Sequence, residues 1–313
     1  MRILFAGSPA IALPSLEAVY NHNEFETAGV LTNADSPRGR HGTPEPTDVA
    51  AAAQRMNIMP VLKPEKLDAA AREQVASLTP DLLVSFAYGH IFGPKFLALF
   101  PLGGINIHPS LLPKYRGPSP IQAAILNRDT VTGITIQTIA PEMDQGDILA
   151  VEKIELSGTE TAGSLGELAA QKAAGLLVQV LMKIKDGTVT KTAQNHNEAS
   201  YCKLISRDDG LIDWSLSAAK IEAKIRAFDQ GPLCRTIHNG RELYILKADI
   251  FKGQAQEKGC GQVLGIDKEN GILIQTGDGI LSVTQLQYQA KKALVWRDFL
   301  NGARDFLGSQ LGN

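Results

Sequence analysis

Leu82-Leu83-Val84-Ser85-Phe86 is an apolar run of strand length. A strand that is apolar at successive positions is typical of a parallel sheet covered by helices on both faces. Upstream, Ile3 to Ala6 is an apolar run that ends at Gly7-Ser8-Pro9, and Ala28 to Leu31 is apolar again, with a helix-like segment between them. This order of strand, helix and strand is the unit of a parallel α/β sheet.

A further strand is predicted at Gly104 to Ile107, and His108 follows it directly. Ligands of open α/β sheets bind outside the carboxyl ends of the strands, so His108 stands where functional residues are expected. Asn106 lies two residues earlier, and because side chains alternate along a strand, Asn106 and His108 point the same way. We therefore interpret this histidine as catalytic rather than as an ordinary packed or surface residue.

The second half of the chain has a different character. Thr159 to Lys185 has apolar residues at helical spacing and predicts one long helix. The polar, aperiodic residues that follow predict a linker at 188–207. We therefore expect a catalytic domain at residues 1–187 and a second domain at residues 208–313.

Three two-residue turn sequences predict the structure of the second domain. Asn239-Gly240, Asn270-Gly271 and Asp278-Gly279 each lie between alternating apolar runs and predict β-hairpins. Three hairpins in succession predict a small antiparallel barrel, with a closing helix at Trp296 to Leu307. The predicted fold class is therefore α/β, with a mostly parallel sheet followed by a smaller β-barrel domain.

The composition limits the class of protein. With 313 residues, of which 44% are hydrophobic and 20% charged, the chain is long enough for two packed domains. A net charge of −2 argues against non-specific coating of nucleic acid but leaves room for a local basic patch. The three cysteines are scattered, without a Cys-x-x-Cys pair, and the apolar N-terminal run is too short for a signal peptide. We expect reduced thiols and a cytoplasmic protein.

The candidate chemistry needs a third group besides Asn106 and His108. A carboxamide can stabilise an oxyanion, an imidazole can carry a proton, and a carboxylate can orient and charge the imidazole. Asp144, in Met143-Asp144-Gln145-Gly146-Asp147, is the candidate carboxylate if its loop folds over the strand ends. The same Asp-x-Gly-Asp pattern is also a common turn, and a turn-only role is favoured for Asp147. Convergence of the three groups predicts an acyl-transfer or hydrolytic site.

Other chemistries have weaker support. Ser110 lacks the Gly-x-Ser-x-Gly setting of a nucleophilic serine. A metal site is disfavoured because there is no His-Glu-x-x-His and no Cys/His cluster, and Gly7-Ser8-Pro9 lacks the glycines of a dinucleotide-binding turn. Arg38-Gly39-Arg40 is either a solvated loop or a phosphate contact, and the sequence alone favours the solvated loop.

At these residues the chain resembles the methionyl-tRNA formyltransferase family, nearly from end to end. Asn106, His108 and the later Asp144 are shared by the wider group of formyltetrahydrofolate-using enzymes, so they indicate the chemistry more than the substrate. The motifs at Ile212 to Ser215 and Arg226 to Phe228 narrow the choice of substrate. The motifs that carry the resemblance are Phe5-Ala6-Gly7-Ser8-Pro9, Ala87-Tyr88-Gly89, the run from Asn106 to Gly117, Met143 to Leu149, Ile212-Asp213-Trp214-Ser215 and Arg226-Ala227-Phe228.

The resemblance implies a Rossmann-like formyltransferase domain followed by an OB-like barrel. It implies 10-formyltetrahydrofolate as the formyl donor, without a metal, and the amino group of initiator methionyl-tRNA as the acceptor. The catalytic set would be Asn106, His108 and Asp144. The folate site would be lined by Ser110, Leu111, Leu112, Pro113, Ala87, Tyr88 and Gly89.

Transfer RNA would be contacted by basic residues. The loop with Arg38 and Arg40 would reach the acceptor stem. The candidates in the second domain are Arg226, Arg235, Arg241, Lys247, Lys291 and Lys292. The alternative for each of them is an ordinary solvated surface residue. We expect a monomer, because neither a repeat nor a heptad pattern suggests assembly.

The chain departs from the family pattern at three places that lie outside the catalytic set: Ala10-Ile11, the lysine-poor sequence from His41, and Gln230-Gly231-Pro232. Two other functions remain open from sequence. One is a related enzyme that formylates a sugar or nucleotide amine, or hydrolyses the donor. The other is a non-catalytic RNA-binding protein, against which the intact Asn106, His108 and Asp144 argue.

Overall fold

The computed structural model describes residues 1–38, 42–253 and 258–312. The chain forms two compact units. Their described residues fall within these ranges: Met1–Pro120, Val131–Glu155 and Gly166–Lys203 for the first unit, and Ile121–Thr130, Leu156–Leu165 and Leu204–Asn313 for the second. Residues 188–203 of the predicted linker thus belong to the first unit, and the domain limits at 187 and 208 remain predictions.

The described residues up to 203 contain nine strands and six α-helices. The strands are β1 (Arg2–Gly7), β2 (Glu26–Leu31), β3 (Ser36–Arg38), β4 (Thr43–Glu45), β5 (Val61–Leu62), β6 (Leu82–Phe86), β7 (Gly104–His108), β8 (Val131–Thr138) and β9 (Ile148–Glu155). The helices are α1 (Leu13–Tyr20), α2 (Asp48–Arg55), α3 (Ala69–Ser77), α4 (Pro94–Leu97), α5 (Pro120–Leu126) and α6 (Ala162–Lys185).

Seven of these strands form one mostly parallel sheet in the order β5-β2-β1-β6-β7-β8-β9. The pairs from β5 to β7 are parallel, whereas β8 pairs antiparallel with both β7 and β9. The chain builds outward in one direction from β1 and in the other from β6. Such a reversal of strand order opens a crevice at the carboxyl ends of the strands, where α/β proteins bind their ligands.

Burial explains why the predicted strands form this sheet. All five residues of β6, Ser85 included, are buried, as expected for a strand covered on both faces. Helix α2 begins after Thr47 and helix α3 after Asp68, and each of these side chains accepts a hydrogen bond from the first turn at 3.1 Å. The parallel α/β sheet predicted from the sequence is therefore confirmed.

Two details differ from the predictions. His108 is the last residue of β7 rather than the residue after it, because its backbone still pairs with Thr135 of β8. The stretch around Arg38 was predicted to be a loop. In the structure, β3 ends at Arg38 and pairs with β4 as a two-stranded ribbon. The side chain of Arg38 and the whole of Arg40 lie outside the described residues.

The second unit has an antiparallel sheet in the order β10-β11-β14-β13-β12, and β15 pairs with β14. Its strands are β10 (Arg235–His238), β11 (Arg241–Phe251), β12 (Val263–Asp267), β13 (Gly271–Gln275), β14 (Ile280–Tyr288) and β15 (Leu294–Val295). Its two further α-helices are α7 (Ala218–Ala227) and α8 (Trp296–Gly302). The predicted closing helix therefore ends five residues early.

All three predicted hairpins occur. Asn239 and Gly240 both have positive φ, of 49° and 73°, and join β10 to β11 as a two-residue turn. The segment 308–312 spans the opening between β10 and β12: Ile237 and Gly312 exchange backbone hydrogen bonds, and the Val263 N–H donates to Ser309. This pairing makes the sheet barrel-like, as predicted. None of the helices in the described part of the chain is long and apolar enough to cross a membrane.

Candidate active site

His108 is almost fully buried, with 4% of its surface exposed. Its Nε2 lies 2.8 Å from the carbonyl oxygen of Tyr115. A carbonyl oxygen only accepts hydrogen bonds, so Nε2 carries the hydrogen and the orientation of the ring is fixed. Nδ1 is the ring atom left for proton transfer.

Asp144, in the loop between β8 and β9, faces that atom. Its Oδ1 lies 3.5 Å from Nδ1 of His108, which is longer than a hydrogen bond but close enough for Coulomb attraction when both ring nitrogens carry a proton. The Gln137 side chain donates to Oδ1 and the Gly117 N–H donates to Oδ2, both at 2.9 Å. One donor on each oxygen fixes the carboxylate, so its charge is held beside the imidazole.

Asn106 and His108 share one face of the sheet. Their cross-strand partners in β8 are Gln137 and Thr135, and such partners point to the same side. Asn106 is half-buried, and within the described ranges no group hydrogen-bonds to its carboxamide. The amide hydrogens of Asn106 are therefore available to a ligand that reaches His108.

The loop after β7 is largely turned inward. Ser110 is fully buried and its hydroxyl donates to the Lys114 carbonyl at 2.6 Å, while Leu112 is 6% exposed. Leu111 and Pro113 are half-buried. Of the side chains expected to line a folate site, those of Leu111 and Pro113 are accessible, whereas Ser110 and Leu112 shape the loop from within.

The turn after β6 presents backbone rather than side chains. Ala87 and Gly89 have φ of 53° and 88°, in the left-handed region that tight turns use. The Tyr88 ring is 2% exposed and stacks on Phe92 at 5.4 Å in the core. Burial raises the pKa of Tyr88 to about 12, so this phenol is not an acid–base group at neutral pH.

Four supporting residues escaped the sequence analysis. Gln137 lies on β8 opposite Asn106, a pairing that only the structure shows. Arg116 and Gly117 lay within a quoted motif without a role. Gln194, whose side chain reaches the carbonyls of the Asp144 loop, lies in an aperiodic stretch that gave no signal.

Cys202 lies beside this loop system and is not a candidate nucleophile. Burial, and then the nearby charge of Asp144, raise the pKa of its thiol. Its sulfur accepts from the Ser119 N–H at 3.3 Å and donates toward the Arg116 carbonyl at 3.4 Å. A neutral thiol with these bonds holds the loop rather than attacking a carbonyl.

Two of the basic residues expected to contact RNA are engaged internally, which corrects their proposed role. Arg235 has a side chain 6% exposed and pairs with Glu242 at 3.0 Å. Arg226 has a side chain 13% exposed, pairs with Glu222 and donates to the Glu160 carbonyl at 2.7 Å. Neither guanidinium is presented to a phosphate backbone.

The four remaining candidate cations of the second unit are exposed: Arg241, Lys247, Lys291 and Lys292. The Arg241 guanidinium carbon lies 4.0 Å from the centroid of the Tyr288 ring, a cation–π contact that keeps its charge at the surface. These four side chains remain candidates for contact with an anionic partner.

Gly146 has no room for a side chain. An added Cβ would lie 1.7 Å from the Thr138 carbonyl oxygen, which belongs to a peptide group held by the hydrogen bond from the Ile139 N–H to the Gly104 carbonyl. We expect Gly146→Ala to lower the free energy of unfolding by about 1–3 kcal/mol or more, as overpacking does. Chemical denaturation measures this loss.

The matched control is Gly175→Ala, in the interior of α6. Apart from the backbone of the helix itself, no atom in the described part of the chain lies within 4 Å of an added Cβ there. Because alanine favours helix over glycine by about 1 kcal/mol, this variant is expected to be neutral or stabilised. Equal stability of the two variants would contradict the steric account of Gly146.

Comparison with known proteins places the chain in a family. Residues 1–181 match the family model described as formyl transferase, and residues 204–304 match the formyl transferase C-terminal domain. A curated protein of Treponema denticola named methionyl-tRNA formyltransferase is 48% identical over 98% of both chains.

Solved structures share the fold. HypX from Aquifex aeolicus, in complex with tetrahydrofolic acid, superposes with a TM-score of 0.65 at 17% sequence identity. The match covers 98% of this chain and 48% of that protein. Methionyl-tRNA formyltransferase from Clostridium thermocellum superposes with a TM-score of 0.58 at 16% identity, over 81% of this chain and 95% of that one. With both formyl transferase domains matched and near-complete coverage of a 48% identical relative, this chain belongs to the methionyl-tRNA formyltransferase family.

Proposed function

We propose that this chain transfers the formyl group of 10-formyltetrahydrofolate to the free amino group of initiator methionyl-tRNA, which gives N-formylmethionyl-tRNA for translation initiation. The observation that carries the proposal is the 48% identity, over 98% of both chains, to a protein named for this activity. The side chains around His108 supply the groups that such a transfer needs.

The reaction moves a formyl group between two nitrogens. The lone pair of the methionyl amine forms a bond to the formyl carbon, and the carbonyl oxygen becomes an oxyanion. The bond from that carbon to the folate nitrogen N10 then breaks, and the carbonyl re-forms. In each turnover one proton leaves the amine and one proton reaches N10. The enzyme therefore needs a proton carrier and a donor to the oxyanion.

His108 is the proton carrier in this proposal. The Tyr115 carbonyl occupies Nε2, so Nδ1 takes the proton from the amine and returns it to N10. The Asp144 carboxylate, 3.5 Å away, stabilises the ring while it is positively charged. Both side chains are largely buried, at 5% and 11% exposure, so solvent screens this attraction only weakly.

Asn106 is the oxyanion donor in this proposal. Its carboxamide has no partner among the described residues and lies on the same face of the sheet as His108. Loss of one oxyanion donor costs roughly 3–4 kcal/mol of transition-state stabilisation in comparable enzymes. The main chain of Ala87 to Gly89 and the exposed edges of Leu111 and Pro113 would hold the folate.

The test is a formyl-transfer assay with radiolabelled 10-formyltetrahydrofolate. We expect transfer to charged initiator tRNA, with charged elongator tRNA and uncharged tRNA much slower. Transfer to an amino sugar, or consumption of the donor in water, at the rate seen with initiator tRNA would refute this acceptor. A folded protein that binds tRNA without consuming the donor would be a binding protein instead.

The exposed cations of the second unit are the proposed contact with the phosphate backbone. Each Lys or Arg contact releases counterions, so affinity falls with salt and each lost contact reduces the salt slope by about 1. We expect Lys291→Gln with Lys292→Gln to raise the KM for tRNA at low salt and to flatten its salt dependence, with kcat at saturating tRNA unchanged.

The control replaces two exposed lysines elsewhere, Lys153 and Lys183, with Gln. It changes the net charge equally, so a general field effect would affect both double variants alike. A KM for tRNA that is unaffected by the Lys291 and Lys292 changes, or is raised equally in the control, would remove this surface from the proposal.

We further propose that the chain acts in the cytoplasm as a monomer. The proposed acceptor is a substrate of cytoplasmic translation, and neither a repeat nor a heptad pattern in the sequence suggests assembly. Sedimentation equilibrium across a range of protein concentrations tests the oligomeric state, and a concentration-dependent mass would overturn it. Imaging of a tagged chain tests the location.

A further inference from the structure

Residues 194–202, named here the 194–202 segment, come from the stretch whose polar, aperiodic sequence predicts a linker. In the structure they contact the loops on both sides of His108. One loop contributes the Tyr115 carbonyl that holds Nε2, and the other contributes Asp144 beside Nδ1. Both supports of the imidazole therefore have the same neighbour.

On the first side, the 194–202 segment pairs with residues 115–117 as a short strand would. The Tyr115 N–H donates to the Ser200 hydroxyl at 2.9 Å, and the Arg116 N–H donates to the Ser200 carbonyl at 2.8 Å. Tyr115 has a φ of 60°, a conformation that costs a non-glycine residue about 1–3 kcal/mol and persists only where neighbours fix it. Ser200 supplies that constraint.

On the second side, the Gln194 side chain holds the Asp144 loop. Its Nε2 lies 2.9 Å from the Asp144 carbonyl, 2.7 Å from the Gly146 carbonyl and 3.1 Å from Oε1 of Gln137. Asp144 also has a left-handed backbone, with a φ of 55°. One buried carboxamide thus fixes the strained residue whose carboxylate faces His108.

Arg116 determines which way that carboxamide points. It is 1% exposed, and its Nε and Nη2 donate to Oε1 of Gln194 at 3.1 and 2.7 Å. Its remaining partners among the described residues are not carboxylates either, namely the Tyr201 hydroxyl at 3.1 Å and Nδ1 of His196 at 3.2 Å. Because arginine only donates, the Gln194 oxygen must face Arg116 and its NH2 group must face the Asp144 loop.

We propose that Gln194, oriented by Arg116, is a positioning residue for Asp144. It acts on the reaction through that carboxylate and not by touching substrate. Gln194 fixes the Asp144 backbone directly, and it fixes the carboxylate through Gln137, whose Nε2 donates to Oδ1 at 2.9 Å. The inference rests on the proposed function, in which Asp144 stabilises the charged imidazole.

A misplacement of about 1 Å in an active site can cost about 100-fold in rate, so loss of the Gln194 hydrogen bonds is expected to lower kcat by about 10–100-fold. The substrate-binding groups are unchanged, so the KM values for donor and tRNA should stay within about threefold of the wild type. A merely structural residue would lower the amount of folded enzyme and leave the kcat per folded molecule intact.

Two variants remove the hydrogen bonds in different ways. Gln194→Glu keeps an acceptor for Arg116 but has no hydrogens for the Asp144 loop. Gln194→Met combined with Arg116→Met removes the buried charge together with its partner. This double change is chosen because apolar residues of similar size preserve folding better than a buried charge that has lost its partner. Thermal unfolding followed by circular dichroism measures the folded fraction at the assay temperature.

Asn195→Ala is the matched control. Asn195 is exposed, and among the described residues its side chain bonds only to the Asn197 N–H and the Glu198 carboxylate, both within the same segment. We expect wild-type kcat in this variant. Because it perturbs the 194–202 segment without touching the Asp144 loop, a loss equal to that of the Gln194 variants would overturn the proposal.

A readout that does not depend on activity separates this inference from the proposed function. In protein labelled with 15N-histidine, the His108 ring signals report the environment of Nδ1. We expect both Gln194 variants to shift these signals and to alter the pH profile of kcat. Folded variants with wild-type kcat and unshifted His108 signals would overturn the inference. If the wild type transfers no formyl group, the proposed function fails, and the His108 signals alone decide whether Gln194 positions Asp144.

Discussion

Alanine in place of His108 is expected to lower the kcat of formyl transfer by about 10²–10⁴-fold, the usual contribution of a positioned acid–base group. The change removes Nδ1, the ring atom that faces Asp144 at 3.5 Å, and with it the proposed route for the proton from the amine to N10. Asn106 stays in place, so oxyanion stabilisation and a measurable residual rate should survive. Single-turnover transfer to charged initiator tRNA measures the loss, and calorimetric titration with tetrahydrofolate should show nearly unchanged binding.

His108→Gln is the companion variant, because a glutamine amide can still donate to the Tyr115 carbonyl as Nε2 does. It should unfold at nearly the wild-type temperature and yet be as slow as the alanine variant. That result would separate the proton carrier from the structural hydrogen bond. Turnover within about tenfold of the wild type in both variants would remove His108 from the mechanism.

The sequence was sufficient to predict the sheet because its core strands are buried on both faces. β6 is buried at every position and four of its five residues are apolar, with Ser85 as the exception, and that pattern is readable without a structure. The hairpin at Asn239-Gly240 was readable because its two positive φ angles restrict the residue types that fit. In both cases the local structure directly restricts which residue types can occupy it, so the residue types indicate the structure.

The site was predictable only in its strand-borne part. Asn106 and His108 lie on one strand, so alternation alone places them on one face. The contact of His108 with Asp144 depends on the path of a loop, which no periodicity encodes. The role of Gln194 depends on a contact with residues about 50 positions away, and a buried glutamine in a polar stretch looks like a solvated one.

The surface candidates show the opposite failure. Arg226 and Arg235 were selected for their charge, and the same charge forms internal ion pairs with Glu222 and Glu242. A sequence shows that an arginine is present but not whether its partner is a carboxylate of the same chain or a phosphate of another molecule. Burial supplied that distinction here.

Asparagine in place of Asp144 is expected to lower kcat by about 10²–10⁴-fold with little change in the amount of folded protein. The carboxylate accepts from the Gly117 N–H at one oxygen and from Gln137 at the other. An amide has only one oxygen, so one of these donors must face the new NH2 group. The variant also loses the negative charge beside Nδ1 of His108.

The neighbouring amides cannot turn to relieve this conflict. If Gln137 flipped to offer its oxygen to the new NH2 group, its own NH2 group would face the NH2 group of Gln194. If Gln194 flipped in turn, it would present donors to Arg116, which has only donors of its own. The guanidinium of Arg116 therefore sets the direction of every hydrogen bond between Arg116 and Asp144. Position 144 needs a side chain that accepts hydrogen bonds at both of its terminal atoms, as a carboxylate does.

Asp147→Asn is the control, since it makes the same chemical change three residues away, in a loop position to which only a turn role is assigned. We expect it to retain nearly the wild-type kcat. Equal losses in the two variants would mean that the loop, and not the Asp144 carboxylate, carries the effect. A near-normal kcat for Asp144→Asn would show that the imidazole works without a negative partner, and the mechanism proposed for His108 would then be wrong.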